Sequence, residues 1–187
     1  VEIREGDSLI EARVSNGEND ILLGTTNGKS IRFSEEQIRP SGRKTMGVKG
    51  ITLSSKDDKV VGMLLIKREG TVLVATENGF GKRTEIIQYR AQKRGGKGVL
   101  TMKTTDKIGK MITIKEVVGT DDLMIIRDDG VLIRMPVSQI RSIGRATQGV
   151  KLIKLAEGTK VSAITRIISE EEKTADEPEN NPEPQDA

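Results

Sequence analysis

The sequence predicts an all-β protein, a propeller-like array of four-stranded blades in about three repeats of 51 residues, and three observations carry that prediction. The turn dipeptides Asn27-Gly28, Asn78-Gly79 and Asp129-Gly130 recur every 51 residues without a gap. Arg32, Arg83 and Arg134 keep the same interval, as do Arg43, Arg94 and Arg145. The pairs Gly47-Val48, Gly98-Val99 and Gly149-Val150 keep it as well. Closed propellers carry about 4 to 8 blades, so this chain reads as a partial domain.

Taken in order, residues 1–19 read as the last strand of a preceding blade and a linker, because Ile10 of Ser8–Val14 stands 51 residues before Val61, which stands 51 before Ile112. Residues 20–70, 71–121 and 122–169 then form blade repeats 1, 2 and 3. Each opens on a hairpin, since Asn-Gly or Asp-Gly between apolar runs is a strong short-range turn signal at which both turn residues tolerate positive φ. Ile21–Thr26 pairs with Lys29–Phe33, Val72–Thr76 with Gly81–Thr84, and Leu123–Arg127 with Val131–Met135. A polar, basic connection follows (34–47, 85–98, 136–149), in which Ser34–Ile38 suits a helical turn. A third strand begins at Val48, Val99 or Val150, and the last strand is Val60–Ile66, Met111–Val117 or Val161–Ile168. β-Branched residues and period-2 alternation favour strand over helix throughout. Met63, Met102, Met111 and Met124 read as core filler.

Residues 170–187 hold three prolines and no aliphatic side chain larger than Ala, a composition that predicts a disordered acidic tail. They carry eight acids and one lysine, a net charge of −7, which leaves 30 basic and 20 acidic residues and a net +10 in residues 1–169. A body so basic points to a polyanionic partner, with the tail a competitor for the same surface or a solubilising extension. The chain has no Cys and no His, which excludes disulfides, thiol nucleophiles, the usual zinc ligands and the usual general base. No apolar run approaches the roughly 20 residues of a membrane helix. The expectation is a cytoplasmic binding module with no membrane partner, not an enzyme, with no catalytic residues, metal or cofactor of its own.

The informative segment is Gln92-Lys93-Arg94-Gly95-Gly96-Lys97-Gly98, in the connection before the third strand of repeat 2. Its glycines let backbone lie close to a partner and expose N–H groups, and Lys93, Arg94 and Lys97 supply charge for phosphate oxygens. It lacks the spacing of a nucleotide P-loop. The equivalent connections are also basic, with Arg39, Arg43, Lys44 and Lys49 in repeat 1 and Arg141, Arg145 and Lys151 in repeat 3. A curved array would present these groups as a rail for bent duplex. Arg83, with Arg32 and Arg134, either joins that rail or solvates the outer face of the second strand. One Tyr and two Phe provide no stacking platform for single strands, so double-stranded DNA is the expected substrate. Tyr89, beside the basic loop, reads as a packing residue.

Gln92–Gly98 resembles the box motif of the DNA gyrase A C-terminal domain, Gln-Lys/Arg-Arg-Gly-Gly-Lys-Gly. The stretches 77–84 and 143–150 are similar to the last blades of that family. The resemblance covers about residues 1–168 and implies a β-pinwheel, in which neighbouring blades exchange strands, wrapping DNA around a basic perimeter in support of negative supercoiling. It further implies, as partners, the remainder of gyrase A together with gyrase B, with ATP and Mg²⁺ bound elsewhere in the holoenzyme. In the family the box lies in the first blade, whereas here it lies in the penultimate one. Two other readings stand beside this one, the C-terminal domain of the topoisomerase IV counterpart and a propeller scaffold for protein partners.

Overall fold

The computed structural model describes residues 2–168; the acidic segment 170–187 lies outside them. Among the described residues, eleven strands form three antiparallel sheets. The first combines β1 (Asp20–Thr25), β2 (Lys29–Ser34), β3 (Val60–Ile66) and, from the next repeat, β6 (Val99–Leu100), in the order β3-β1-β2-β6. The second combines β4 (Thr71–Thr76), β5 (Phe80–Glu85), β7 (Met111–Val117) and β10 (Val150–Lys151), in the order β10-β5-β4-β7. The third, β8 (Asp122–Arg127), β9 (Leu132–Pro136) and β11 (Val161–Ile167), has three strands among the described residues. A single 3-10 turn follows the hairpin in each repeat, at Glu35–Gln37, Ile86–Gln88 and Val137–Gln139.

The short third strand of one repeat completes the sheet of the repeat before it. Val99 pairs with Ser30, and Val150 pairs with Gly81. This departs from a four-stranded unit built from consecutive residues, and it is the strand exchange of a pinwheel. Val48, the matching residue of the first repeat, has no sheet to join among the described residues and stays an unpaired, exposed segment. Ser8–Val14 likewise forms no strand, and Leu9 and Val14 are exposed. It is held beside β3 by side chains, the Glu11 carboxylate accepting from the Met63 N–H at 3.1 Å, with no ladder of backbone bonds.

The hairpins lie where the sequence places them, with a different turn. Among the described residues only glycine has positive φ, +75° at Gly28, +77° at Gly79 and +84° at Gly130. The Gly28 N–H closes onto the Thr25 carbonyl at 3.0 Å and Gly79 onto Thr76 at 3.0 Å. These are three-residue loops with a left-handed glycine at the third position, so Asn27 and Asn78 stay at ordinary negative φ.

The core lies between sheets, which is why the central strands are buried on both faces. Val72 and Val74 of β4 pack with Leu22 and Leu64 of the first sheet, while Leu73 and Ala75 pack with Leu123 and Ile125 of the third. Met102 and Met111 are wholly buried, as expected of filler, whereas Met63 and Met124 are half-buried. Tyr89 is 1% exposed in the core shared by the first two sheets, and burial pushes its phenol pKa up to about 12. A phenol so held remains protonated near neutrality, in keeping with packing.

Buried carboxylates tie the loops to the hairpins. Burial alone would raise the pKa of Asp58, but donation from Ser54 N–H and Oγ, the Asn27 N–H and Thr26 Oγ outweighs it and draws the pKa down to about 2. A depressed carboxylate contributes stability that is complete above its ordinary pKa of 3.8 and is lost as pH falls toward 2. Asp58→Asn should therefore cost on the order of 1–2 kcal/mol at neutral pH. In urea titrations its deficit against the parent chain should close between pH 4 and pH 2, and a deficit independent of pH would contradict this account.

Candidate nucleic-acid interface

In each complete sheet the donated strand is the outermost one, so the loop leading into it lies on the outer side of the array. Segment 92–98 runs along β2 before entering the first sheet as β6. The Gln92 N–H donates to the Arg32 carbonyl at 2.8 Å, Gly95 N–H to Gly50 at 2.7 Å, and Thr52 N–H to Gly96 at 2.8 Å. Segment 143–149 repeats the geometry along β5. The Ile143 N–H donates to Arg83 at 2.9 Å and Lys103 N–H to Thr147 at 3.0 Å. Successive basic loops thus occupy equivalent places on successive sheets.

The glycines serve this docking more than an approach to an outside partner. Gly98 has φ +67°, and a Cβ there would lie 2.3 Å from the Ser30 carbonyl oxygen; Gly149 has φ +76°, and its Cβ would lie 2.6 Å from that of Gly81. Only glycine lets the donated strand approach so closely. Gly95, φ +81°, spends its N–H on Gly50, while Gly96 is exposed.

The arginines divide from the lysines. Arg94 donates from Nη1 to the Lys49 carbonyl at 2.5 Å and from Nε to the Gln37 carbonyl at 3.2 Å, and the Gln37 amide returns bonds to the Arg94 N–H and the Gln92 carbonyl. Arg145, 51 residues on, donates to the Leu100 carbonyl at 3.0 Å, the residue 51 after Lys49, and stands 5.9 Å above the Tyr89 ring. Arg83 donates to the Ile140 carbonyl at 2.8 Å, and Arg32 reaches the Tyr89 carbonyl at 3.2 Å while pairing with Asp20. Arg134 pairs with Asp122. The periodic arginines are thus largely inter-sheet ties. Lys44, Lys49, Lys93 and Lys97 are exposed, and their ammonium groups make no hydrogen bond or ion pair among the described residues. Arg39, Arg43 and Arg141 are exposed on the same connections, and Lys151 extends over Phe80 with Nζ 5.7 Å from the ring centre.

Sequence reasoning missed Lys82. It is completely buried, and its ammonium donates to the Gly144 carbonyl at 2.7 Å, to Thr147 Oγ1 at 3.1 Å and to the Arg145 carbonyl. Burial, followed by the nearby Arg145 charge, lowers its pKa to about 8. Lys82 pins the 144–147 loop from beneath. The available signal was a lysine on β5 where the other repeats carry Ile31 and Ile133.

Comparison with known proteins agrees with this architecture. The family model of the DNA gyrase C-terminal domain, beta-propeller, matches residues 19–67, 70–117 and 121–167. DNA gyrase A of Staphylococcus epidermidis is 44% identical over 174 residues, 92% of this chain and 19% of that protein. Its Staphylococcus aureus counterpart is 43% identical over 183 residues, 97% of this chain and 20% of its own length. This chain thus spans about a fifth of the curated relatives it matches. A solved DNA gyrase A C-terminal domain superposes with a TM-score of 0.83 at 21% identity, covering 90% of this chain and 57% of that one. The C-terminal domain of DNA topoisomerase IV also gives 0.83 at 21%, covering 89% and 52%. At such identity these likenesses establish the fold.

If strand exchange rests on close backbone approach, Gly98→Ala should destabilise the chain by on the order of 1–3 kcal/mol or more, from left-handed strain and the clash with Ser30. Arg94→Lys, which keeps the charge but loses the fork to Gln37 and Lys49, should lower the denaturant midpoint, while Lys93→Gln should leave it in place. Equal midpoints for all three variants would contradict the division of roles.

Proposed function

This chain belongs to the DNA gyrase A C-terminal domain family, and from that membership we propose that it binds and wraps duplex DNA, independently of sequence, along the outer side of its successive sheets. The supporting observation is the recurrence of a cationic loop at equivalent edges of the two four-stranded sheets, 92–98 on the first and 143–149 on the second. In this reading the box segment acts in two ways. Arg94, Gly95 and Gly98 hold the loop against the neighbouring sheet, and Lys93 and Lys97 face the phosphates, with Gln92 and Gly96 completing the loop. Arg39, Arg43, Lys44 and Lys49 do the same on the first repeat, and Arg141 and Lys151 on the third. Arg83 and Arg145 contribute charge behind them.

Affinity then comes from counterion release at each phosphate contact, and sequence is not read because no helix or ribbon is presented to a groove. Bending about 20–30 base pairs by 40–90° costs on the order of 1–6 kcal/mol, which charge-assisted contacts along a rigid rim offset. Within a gyrase, wrapping of this kind would deliver a DNA segment to the cleavage machinery with fixed handedness and so support negative supercoiling. The other partners proposed are the rest of gyrase A and gyrase B, with ATP and Mg²⁺ bound outside this chain, which performs no covalent chemistry itself. We place it in the bacterial cytoplasm, with the nucleoid. The topoisomerase IV counterpart superposes equally well, but the relatives at 43% and 44% identity are gyrase A proteins, and the gyrase reading is preferred.

Fluorescence anisotropy with random-sequence duplexes between 50 and 200 mM salt tests the proposal. Each of Lys93→Gln, Lys97→Gln and Lys49→Gln should reduce the slope of log K against log salt by about 0.9 and weaken all sequences alike. An unchanged slope in all three, or a loss confined to one sequence, would reject the phosphate rail.

A further inference from the structure

The edge strands β3, β7 and β11 stand side by side on the inner side of the array, away from the basic loops, and with Arg13 and Val14 line an open cavity of about 440 Å³. Its lining departs from the repeat. Strand register places Leu64, Lys115 and Thr165 at one equivalent position, opposite Leu22, Leu73 and Met124, and places Leu65, Glu116 and Arg166 at the next, opposite Ile21, Val72 and Leu123. The first sheet thus shows that leucines satisfy both positions. The second replaces both with charge and the third with a threonine and an arginine, and Lys67 and Arg13 add two more cations to the same wall. A charged side chain where the fold accepts an apolar one calls for a reason other than folding.

Two carboxylates face these four cations, and each is engaged. Glu11 pairs with Arg13 and accepts from the Met63 N–H at 3.1 Å. Glu116 accepts from the Lys67 and Arg68 N–H groups at 3.2 and 3.1 Å. Arg166 donates to the Glu116 backbone carbonyl at 3.1 Å, and Lys67 Nζ to the Val14 carbonyl at 3.4 Å. Lys115 is half-buried, and its ammonium has no hydrogen-bond acceptor among the described residues. Burial lowers its pKa, opposed by Glu11 and reinforced by Arg13 and Arg166. An excess of positive charge around a half-buried ammonium whose donor capacity is unspent is the arrangement that a compact anion completes.

We propose that this inner cavity is a binding site for a small multivalent phosphate, gripped by Lys115 and Arg166, with Arg13 and Lys67 completing the charge. The site is separate from the outer basic loops, so its ligand binds without competing for duplex. Pyrophosphate is the probe, titrated into the full chain by calorimetry at low ionic strength. The parent should bind it saturably at one site. Lys115→Leu restores the residue type of the first sheet, so it should fold with an unchanged melting curve and unchanged DNA affinity, yet bind pyrophosphate about tenfold or more weakly. Arg166→Gln should show the same loss and supplies a second reading should Lys115→Leu fold poorly. Undiminished affinity in both variants, the absence of saturable binding by the parent, or a comparable loss in Lys93→Gln, which would put the anion on the outer loops, would each overturn the proposal.

Discussion

Everything on the outer side of this molecule depends on how closely one backbone approaches another, where Gly98 meets Ser30 and Gly149 meets Gly81. Two residues of strand are donated at each junction, too few to hold two sheets together by ladder bonds alone. The rest of the joint is the apolar core between sheets together with arginine. Arg94 and Arg145 reach back to the preceding repeat, and Arg32 and Arg83 reach forward to the next. Each guanidinium bonds a backbone carbonyl of the neighbouring repeat and so ties one repeat to the next.

That arrangement explains why arginine and lysine are sorted by role within the same loops. Arginine's planar fork can bond two carbonyls and remain charged, so it holds structure while still contributing to the field. Lysine's compact, strongly hydrated charge on a flexible stem suits contact with phosphates whose positions vary along a bent duplex. Under the proposed function, a segment that reads as one basic motif is a scaffold and a contact surface together.

Much of the fold was legible in the sequence because its signals are local and repeated. The three hairpins, the inner strands and the 51-residue period follow from turn dipeptides and apolar runs that act within a few residues. What was not legible depends on neighbours. Composition did not show that Val99 and Val150 would leave their own repeats, although the family resemblance implied strand exchange. Ser8–Val14 matches the register of a last strand but has no ladder to join, because a strand is made by its partner as much as by its residues. At the site, the loops were visible as basic segments at a fixed spacing. The commitment of Arg94 and Arg145 to carbonyls was not, since a guanidinium looks the same in sequence whether it faces phosphate or protein. Lys82, and Lys115 with Arg166, were detectable in principle, Lys82 standing where both other repeats carry isoleucine and Lys115 and Arg166 where the first repeat carries leucine.

The central claim is that cations recurring once per sheet line one outer edge and face the double helix together. Lysine acetylation read by mass spectrometry, with and without saturating duplex, measures this directly. Lys44, Lys49, Lys93, Lys97 and Lys151 should be protected by DNA, while Lys56 and Lys107, which lie in the turns packed against the hairpin ends, should react as in the free chain. Protection of Lys56 and Lys107 with the loop lysines still reactive would place the duplex on another face and contradict the account.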